Sequence, residues 1–113
     1  MYKIEAIIRE EKMEEVKEAL SRAGVTSLTL YQVMGCGSQK GYMETTDAPA
    51  TEILVRPKIK FEIVVPTREW EEKITETIRR VANTGHIGDG KIFIYNLENA
   101  VKIRTGEEGS NAI

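Results

Sequence analysis

The sequence predicts an α+β fold in which one antiparallel sheet carries two helices on a single face. Three observations lead there. Apolar residues alternate with period two in several short segments, and they switch to helical spacing in two longer ones. The order strand–helix–strand occurs twice. The two halves also resemble one another, since Lys3-Ile4-Glu5-Ala6-Ile7-Ile8 aligns with Lys60-Phe61-Glu62-Ile63-Val64-Val65 and a helical pattern follows each.

Residues 2–8 place Tyr2, Ile4, Ala6 and Ile8 on one strand face, and Lys3, Glu5 and Ile7 on the other. Residues 11–23 form a helix with Met13, Val16, Leu20 and Ala23 as its apolar stripe, Glu18 and Arg22 as a supporting surface pair, and Gly24 as its stop. Residues 26–34 read as a second strand, with Leu28, Leu30 and Gln32 opposing Thr29, Tyr31 and Val33. The third strand, 58–65, turns Phe61, Ile63 and Val65 inward and ends at Pro66. Thr67 then caps a helix that runs to about Asn83, with the stripe Trp70, Ile74, Ile78 and Val81 and the wet-side pairs Glu69–Lys73 and Glu76–Arg80. Gly85 closes that helix, Lys91 to Tyr95 is the last strand, and 100–105 is a final extended piece. Two such units in one short chain read as the ferredoxin-like double βαβ arrangement.

Between the units, residues 37–57 are rich in Gly, Thr, Glu and Ala and show no convincing period. So long a connection in a small domain is a functional or a disordered segment, the other reading being a badly assigned strand pair. Val33–Gly37 and Ile53–Ile59 can also prolong the flanking strands as a ribbon, leaving only the tip disordered.

Composition narrows the function classes. At 113 residues, the chain reads as a single domain, 1–113, that buries roughly 65% of its unfolded surface. With 41% hydrophobic and 30% charged residues it is not a disordered chain. A net charge of -2 argues against general affinity for nucleic acid, although a local basic cluster can still bind a small anion. One cysteine, Cys36, precludes an intrachain disulfide, and one histidine leaves the usual zinc spacings unfilled. No basic leader precedes the first strand and no apolar run reaches the length of a membrane span, so the expectation is a cytoplasmic protein without direct membrane insertion.

The sheet face away from the helices carries Ile7, Val64, Tyr31 and Val33 among its charges. Apolar residues on both faces of an antiparallel sheet call for a second cover, commonly another copy of the chain; scattered exposed apolar side chains are the ordinary alternative.

No arrangement reads as catalytic. His86 stands beside a glycine turn without a serine or cysteine partner, and Cys36 is a small filler between two glycines. What stands out is glycine-rich turns next to cations: Gly35-Cys36-Gly37-Ser38-Gln39-Lys40-Gly41, then Thr84-Gly85-His86-Ile87-Gly88-Asp89-Gly90-Lys91, and Lys102 with Arg104 two apart on an extended segment. Glycine lets backbone N–H groups approach phosphate oxygens while Lys and Arg neutralise charge. Each element also has a purely structural use, because Gly85 can cap a helix and Asp89-Gly90 can turn a hairpin.

These same segments resemble the PII nitrogen-regulatory family. Thr84 to Ile94 is similar to its C-terminal signature, Gly35 to Gly41 to the base of its T-loop, and Lys102-Ile103-Arg104-Thr105-Gly106-Glu107 to its C-terminal run. The opening strand and Pro57 to Val65 match as well, so the resemblance covers nearly the whole chain. It implies a homotrimeric signal-transduction regulator, not an enzyme, that binds ATP, ADP or AMP between subunits and acts in nitrogen metabolism on a target transporter or enzyme through a T-loop at about 37–57. By resemblance Gly88, Asp89, Gly90 and Lys91 cradle the phosphates, with Gly35, Cys36, Gly37, Ser38 and Gln39 at the other glycine turn. Ile7, Thr29, Glu62 and Val64 line the base and ribose, and Lys102 and Arg104 reach in from the neighbouring subunit. With Mg-ATP bound, the resemblance implies a 2-oxoglutarate site of Gln39, Lys40, Gly41, Lys58 and Gly88, with backbone from Gly37 and with Gln39 helping to complete the magnesium coordination. The chain departs from the family pattern at Ser38 and Lys102, where arginine is usual, and at Cys36, usually aromatic. It departs also at Thr51, in place of a modified tyrosine, and at Asp47, in place of a channel-inserting arginine. The divergent T-loop leaves open an alternative: a PII-like adenylate or small-anion sensor outside nitrogen control.

Overall fold

The computed structural model describes residues 1–37 and 54–113. Strand β1 spans Tyr2–Arg9 and passes through a 3₁₀ turn, Glu10–Lys12, into helix α1, Met13–Arg22. Strands β2, Thr29–Gly37, and β3, Leu54–Val65, follow, then helix α2, Arg68–Ala82, strand β4, Gly90–Asn96, and a closing 3₁₀ turn, Gly109–Ala112. The sheet order is β2-β3-β1-β4. Every neighbouring pair is antiparallel. That is the ferredoxin-like double βαβ order, with both helices on one face.

The period-two reading of β1 and β3 places the core. Ile4, Ala6 and Ile8 lie opposite Ile63, Phe61 and Ile59, and all six are buried. Val16 and Leu20 from α1, and Ile74, Ile78 and Ala82 from α2, complete the core. Met13, Ala23, Trp70 and Val81, the ends of the expected stripes, pack at its margin. Helix α1 stops as Gly24 predicts. Gly24 adopts φ +102°, its N–H donates to the Ser21 carbonyl and the Val25 N–H to that of Leu20, the paired bonds that satisfy the last carbonyls. At the start of α2 the Thr67 hydroxyl accepts from the Trp70 backbone N–H at 3.2 Å.

Several expectations need correction. Strand β2 begins at Thr29, three residues later than 26, because 25–28 runs on from the Gly24 cap without pairing. The ribbon reading of the connection holds for the described residues, since β2 and β3 pair from Thr29↔Glu62 out to Gly37↔Leu54. Residues 100–105 are not one extended strand. Val101 bridges Glu108, and Lys102 N–H to the Glu107 carbonyl and Gly106 N–H to the Lys102 carbonyl close a tight turn between them. Gly106 at φ +75° permits that reversal. Glu76 pairs with Arg79 at 2.8 Å instead of Arg80, since the i,i+3 partner reaches it bidentately, and the Lys73 ammonium lies over the Trp70 ring at 4.9 Å instead of on Glu69.

Among the described residues Phe61 is the largest fully buried side chain, opposite Ala6 in the sheet and in one core cluster with residues of both helices. Phe61→Ala is expected to cost about 3–5 kcal/mol, read as a large drop in the denaturant midpoint. A loss below about 1 kcal/mol would show that the site is not packed as described.

Candidate functional site

The loop between α2 and β4 is organised by one side chain. The Asp89 carboxylate accepts from the backbone N–H groups of Thr84 at 2.8 Å and Gly85 at 3.0 Å, and from the Thr84 hydroxyl. It also accepts from Arg9 Nε at 2.9 Å, at the end of β1. Arg9 in turn donates to the Ile87 carbonyl at 2.8 Å, so the loop is tied to the sheet at two points. Partial burial pushes the Asp89 pKa upward, but the Thr84, Arg9 and Gly85 bonds outweigh it and hold the carboxyl well below the usual carboxylate range. Asp89 therefore shapes the cradle, which leaves cation chemistry to its neighbours.

Glycine is required at the crossing. Gly90 sits at φ +102°, and a Cβ there would lie 1.8 Å from the Ile7 carbonyl oxygen. Gly88, at φ +104°, faces the Arg9 guanidinium. Lys58 Nζ donates to the Gly88 carbonyl, and its stem packs where a Cβ on Gly35 would stand, 2.9 Å from Lys58 Cγ. Burial, followed by the nearby Arg9 charge, lowers the Lys58 pKa. Gly35, Lys58, Arg9 and the loop from Thr84 to Lys91 thus gather at one end of the molecule. Lys91 is exposed opposite Ile7, and with Ile7, Asp89 and Gly90 it lines one wall of a cleft of about 420 Å³ between β4 and α2, whose other wall is Thr75, Ile78, Arg79 and Ala82. Cys36 is a free, exposed thiol and His86 an exposed loop residue.

A second cleft, of about 590 Å³, lies at the opposite edge and end of the sheet. Thr29, Glu62, Val64 and Lys102 line it, with Trp70 and the C-terminal turn. Lys102 stands 3.6 Å from Glu107. The structure therefore regroups the expected residues. Thr29, Glu62 and Val64 belong with Lys102, whereas Ile7 belongs with Gly90 and Lys91. Arg104 is exposed in the turn, outside both clefts, because the chain reverses there and the two-apart rule for an extended segment no longer applies. Ser38, Gln39, Lys40, Gly41, Asp47 and Thr51 lie outside the described residues.

The open sheet face is more polar than its apolar positions suggest. Lys3 lies between Glu5 at 3.8 Å and Glu62 at 3.6 Å, and Lys60 pairs with Glu5 at 3.5 Å. The Tyr31 hydroxyl donates to Glu62 at 2.6 Å. Lys3 stands over the Tyr95 ring, and Lys60 over that of Tyr31. Sequence reasoning missed Arg9 as a site residue. Its signal was the odd-numbered alternation of β1, which puts Arg9 on the face of Ile7 and next to the Gly90 crossing.

The electrostatics of Asp89 set a pH dependence. Folding lowers its pKa, so its contribution to stability is complete above the ordinary carboxylate range, about 4, and is lost as pH falls below that range. Asp89→Asn is expected to cost about 1–2 kcal/mol at pH 7, measured as a lower Tm. The gap from the unaltered protein should narrow below about pH 4. A gap that stays constant with pH would contradict this account of the loop.

Comparison with known proteins identifies the family. The family profile described as nitrogen regulatory protein P-II matches residues 1–107. The nitrogen regulatory protein P-II of Pasteurella multocida is 47% identical over 113 residues, covering all of both chains. The nitrogen regulatory protein P-II 1 of Escherichia coli is 44% identical with the same full coverage. A solved structure described as a B. subtilis GlnK-ATP complex superposes with a TM-score of 0.82 at 42% identity, covering 99% of this chain and 96% of that one. On the family profile, the full-length relatives and the shared fold together, this chain belongs to the nitrogen regulatory protein P-II family.

Proposed function

We propose that the chain is a P-II-type signal-transduction regulator, cytoplasmic and homotrimeric, that binds ATP or ADP between copies and controls a target protein through residues 37–57 in nitrogen metabolism. It is read as a sensor, not an enzyme. The observation that carries this reading is the pair of separate clefts in one chain. One offers a glycine cradle with Lys91, and the other offers Thr29, Glu62, Val64 and Lys102. A nucleotide lying between adjoining copies would place its phosphates on the first and its nucleoside in the second. Arg104 would join from the turn beside Lys102. The B. subtilis relative, described as an ATP complex, supports nucleotide binding by the same fold.

The Gly90 crossing fits a polyphosphate, since a loop without a side chain there lets the backbone close over the end of β1. Magnesium would arrive with ATP, held by its phosphates with Gln39 completing the coordination. Lys58 and Gly88, already joined by a hydrogen bond, would form the 2-oxoglutarate site together with Gln39, Lys40 and Gly41. Dicarboxylate binding would draw the Lys58 ammonium from the Gly88 carbonyl, and so couple the ligand to both glycine turns. A ligand changes the output only through unequal affinity for the conformations of the target-binding segment. A second reading, an adenylate or small-anion sensor outside nitrogen control, is favoured by Asp47 and Thr51, where the family's target-binding and modified residues differ.

Calorimetry with ATP, ADP and AMP, with and without magnesium and 2-oxoglutarate, tests both readings. The first expects ATP and ADP to bind, and 2-oxoglutarate to bind only beside Mg-ATP. Adenylate binding with no response to 2-oxoglutarate supports the second, and no heat with any nucleotide rejects both. Lys91→Ala is expected to weaken ATP at least about tenfold, the size of a lost charge-assisted hydrogen bond. Unchanged ATP affinity in that variant would remove Lys91 from the site.

A further inference from the structure

We infer that Tyr31 is a positioning residue for ligand selection: its hydroxyl fixes the Glu62 carboxylate so that the nucleoside cleft reads a hydrogen-bond donor on the ligand, a ribose hydroxyl or the 6-amino group of the base. The inference rests on the nucleotide reading given above. Glu62 lines the cleft together with Thr29, Val64 and Lys102, whereas Tyr31 stands beside it on the open sheet face and is not part of that lining. Thr29 is the cross-strand partner of Glu62, and Tyr31, two residues along β2, pairs with Lys60, two residues back along β3. Tyr31 is therefore a diagonal neighbour of Glu62 on the same face.

The geometry orients one oxygen and leaves the other. The Tyr31 hydroxyl donates to Glu62 Oε2 at 2.6 Å, while Lys3 stands 3.6 Å from Oε1. The longer contact is a loose ion pair and the shorter one a strong, directional bond. Tyr31 itself is held in place, because the Lys60 ammonium lies 5.4 Å from its ring centroid. The charged groups around Glu62 are Lys3 and Glu5 from β1, Lys60 from its own strand and Lys102 across the cleft. The Tyr31 hydrogen bond is the main cause that lowers the Glu62 pKa, with Lys3 adding to it. An ionised carboxylate accepts hydrogen bonds and donates none, so it favours a ligand hydroxyl or amine and disfavours a carbonyl at the same place.

The test compares the unaltered protein with Tyr31→Phe, which keeps the ring and removes the hydroxyl. Affinities are measured for ATP, for 2′-deoxy-ATP and 3′-deoxy-ATP, and for purine riboside triphosphate, which lacks the 6-amino group. Tyr31→Phe should weaken ATP about tenfold, and that loss should vanish for the one analogue that lacks the donor Glu62 accepts. Loss confined away from a deoxy analogue identifies a ribose hydroxyl, and loss confined away from purine riboside triphosphate identifies the base. The acid limb of ATP binding should also move to higher pH in the variant, because Glu62 then protonates more easily. Equal weakening of all four ligands, or no weakening of ATP, would overturn the inference while leaving nucleotide binding intact. Failure of the unaltered protein to bind ATP would instead overturn the underlying reading and this inference with it.

Discussion

The Asp89 carboxylate is the tie on which the rest of the site depends. Four donors converge on it, two from the backbone of the loop, one from the Thr84 hydroxyl and one from Arg9 at the end of β1. A solvent-exposed ion pair contributes little, about 0–1 kcal/mol. The Arg9–Asp89 pair differs, since both side chains are largely covered and the carboxylate is also bonded by backbone amides. That convergence holds Gly88 and Gly90 where their backbone passes against Arg9 and the Ile7 carbonyl. The cradle is consequently a property of the loop's internal hydrogen bonds, and the cations around it are placed by the strands.

The same logic explains why one chain looks incomplete. Its glycine cradle lies at the end of β1, and the cleft lined by Glu62 and Val64 lies beside the start of that strand, along the opposite sheet edge. Tyr31, Phe93 and Tyr95 remain exposed on the sheet face between them, interleaved with a charge network that is balanced at Lys3, Lys60, Glu5 and Glu62. Such a face suits a cover that is partly apolar and partly polar, which in the proposed account another copy of the same chain would provide. Association of copies and formation of a nucleotide site are then one event in the proposed account.

The fold was legible because its signals are local and periodic. Ile4, Ala6 and Ile8, or Phe61, Ile63 and Val65, announce their shared face by spacing alone, and Gly24 and Thr67 mark helix ends by chemistry that acts within four residues. What sequence reading missed depends on contacts between distant segments. Arg9 becomes a loop anchor only when β4 is brought beside β1, 80 residues later in the chain. Glu71, a charged residue within an apolar helix face, is buried because Arg68 and Thr75 satisfy it. The turn at 103–105 was hidden because alternation in 100–105 looks extended until Gly106 reverses the chain. The motifs named the candidate residues, but their division between two clefts was not readable, since strand order decides which residues share an edge.

The claim that each nucleotide site is built from two copies is tested most directly by mixing variants. Lys91→Ala impairs one cleft and Glu62→Ala the other, so each protein alone should bind ATP poorly. Refolded together, the two should recover tight sites, because an intact Lys91 from one copy then meets an intact Glu62 from its neighbour. A mixture that binds no better than its parents would place the whole site within a single chain and contradict the account.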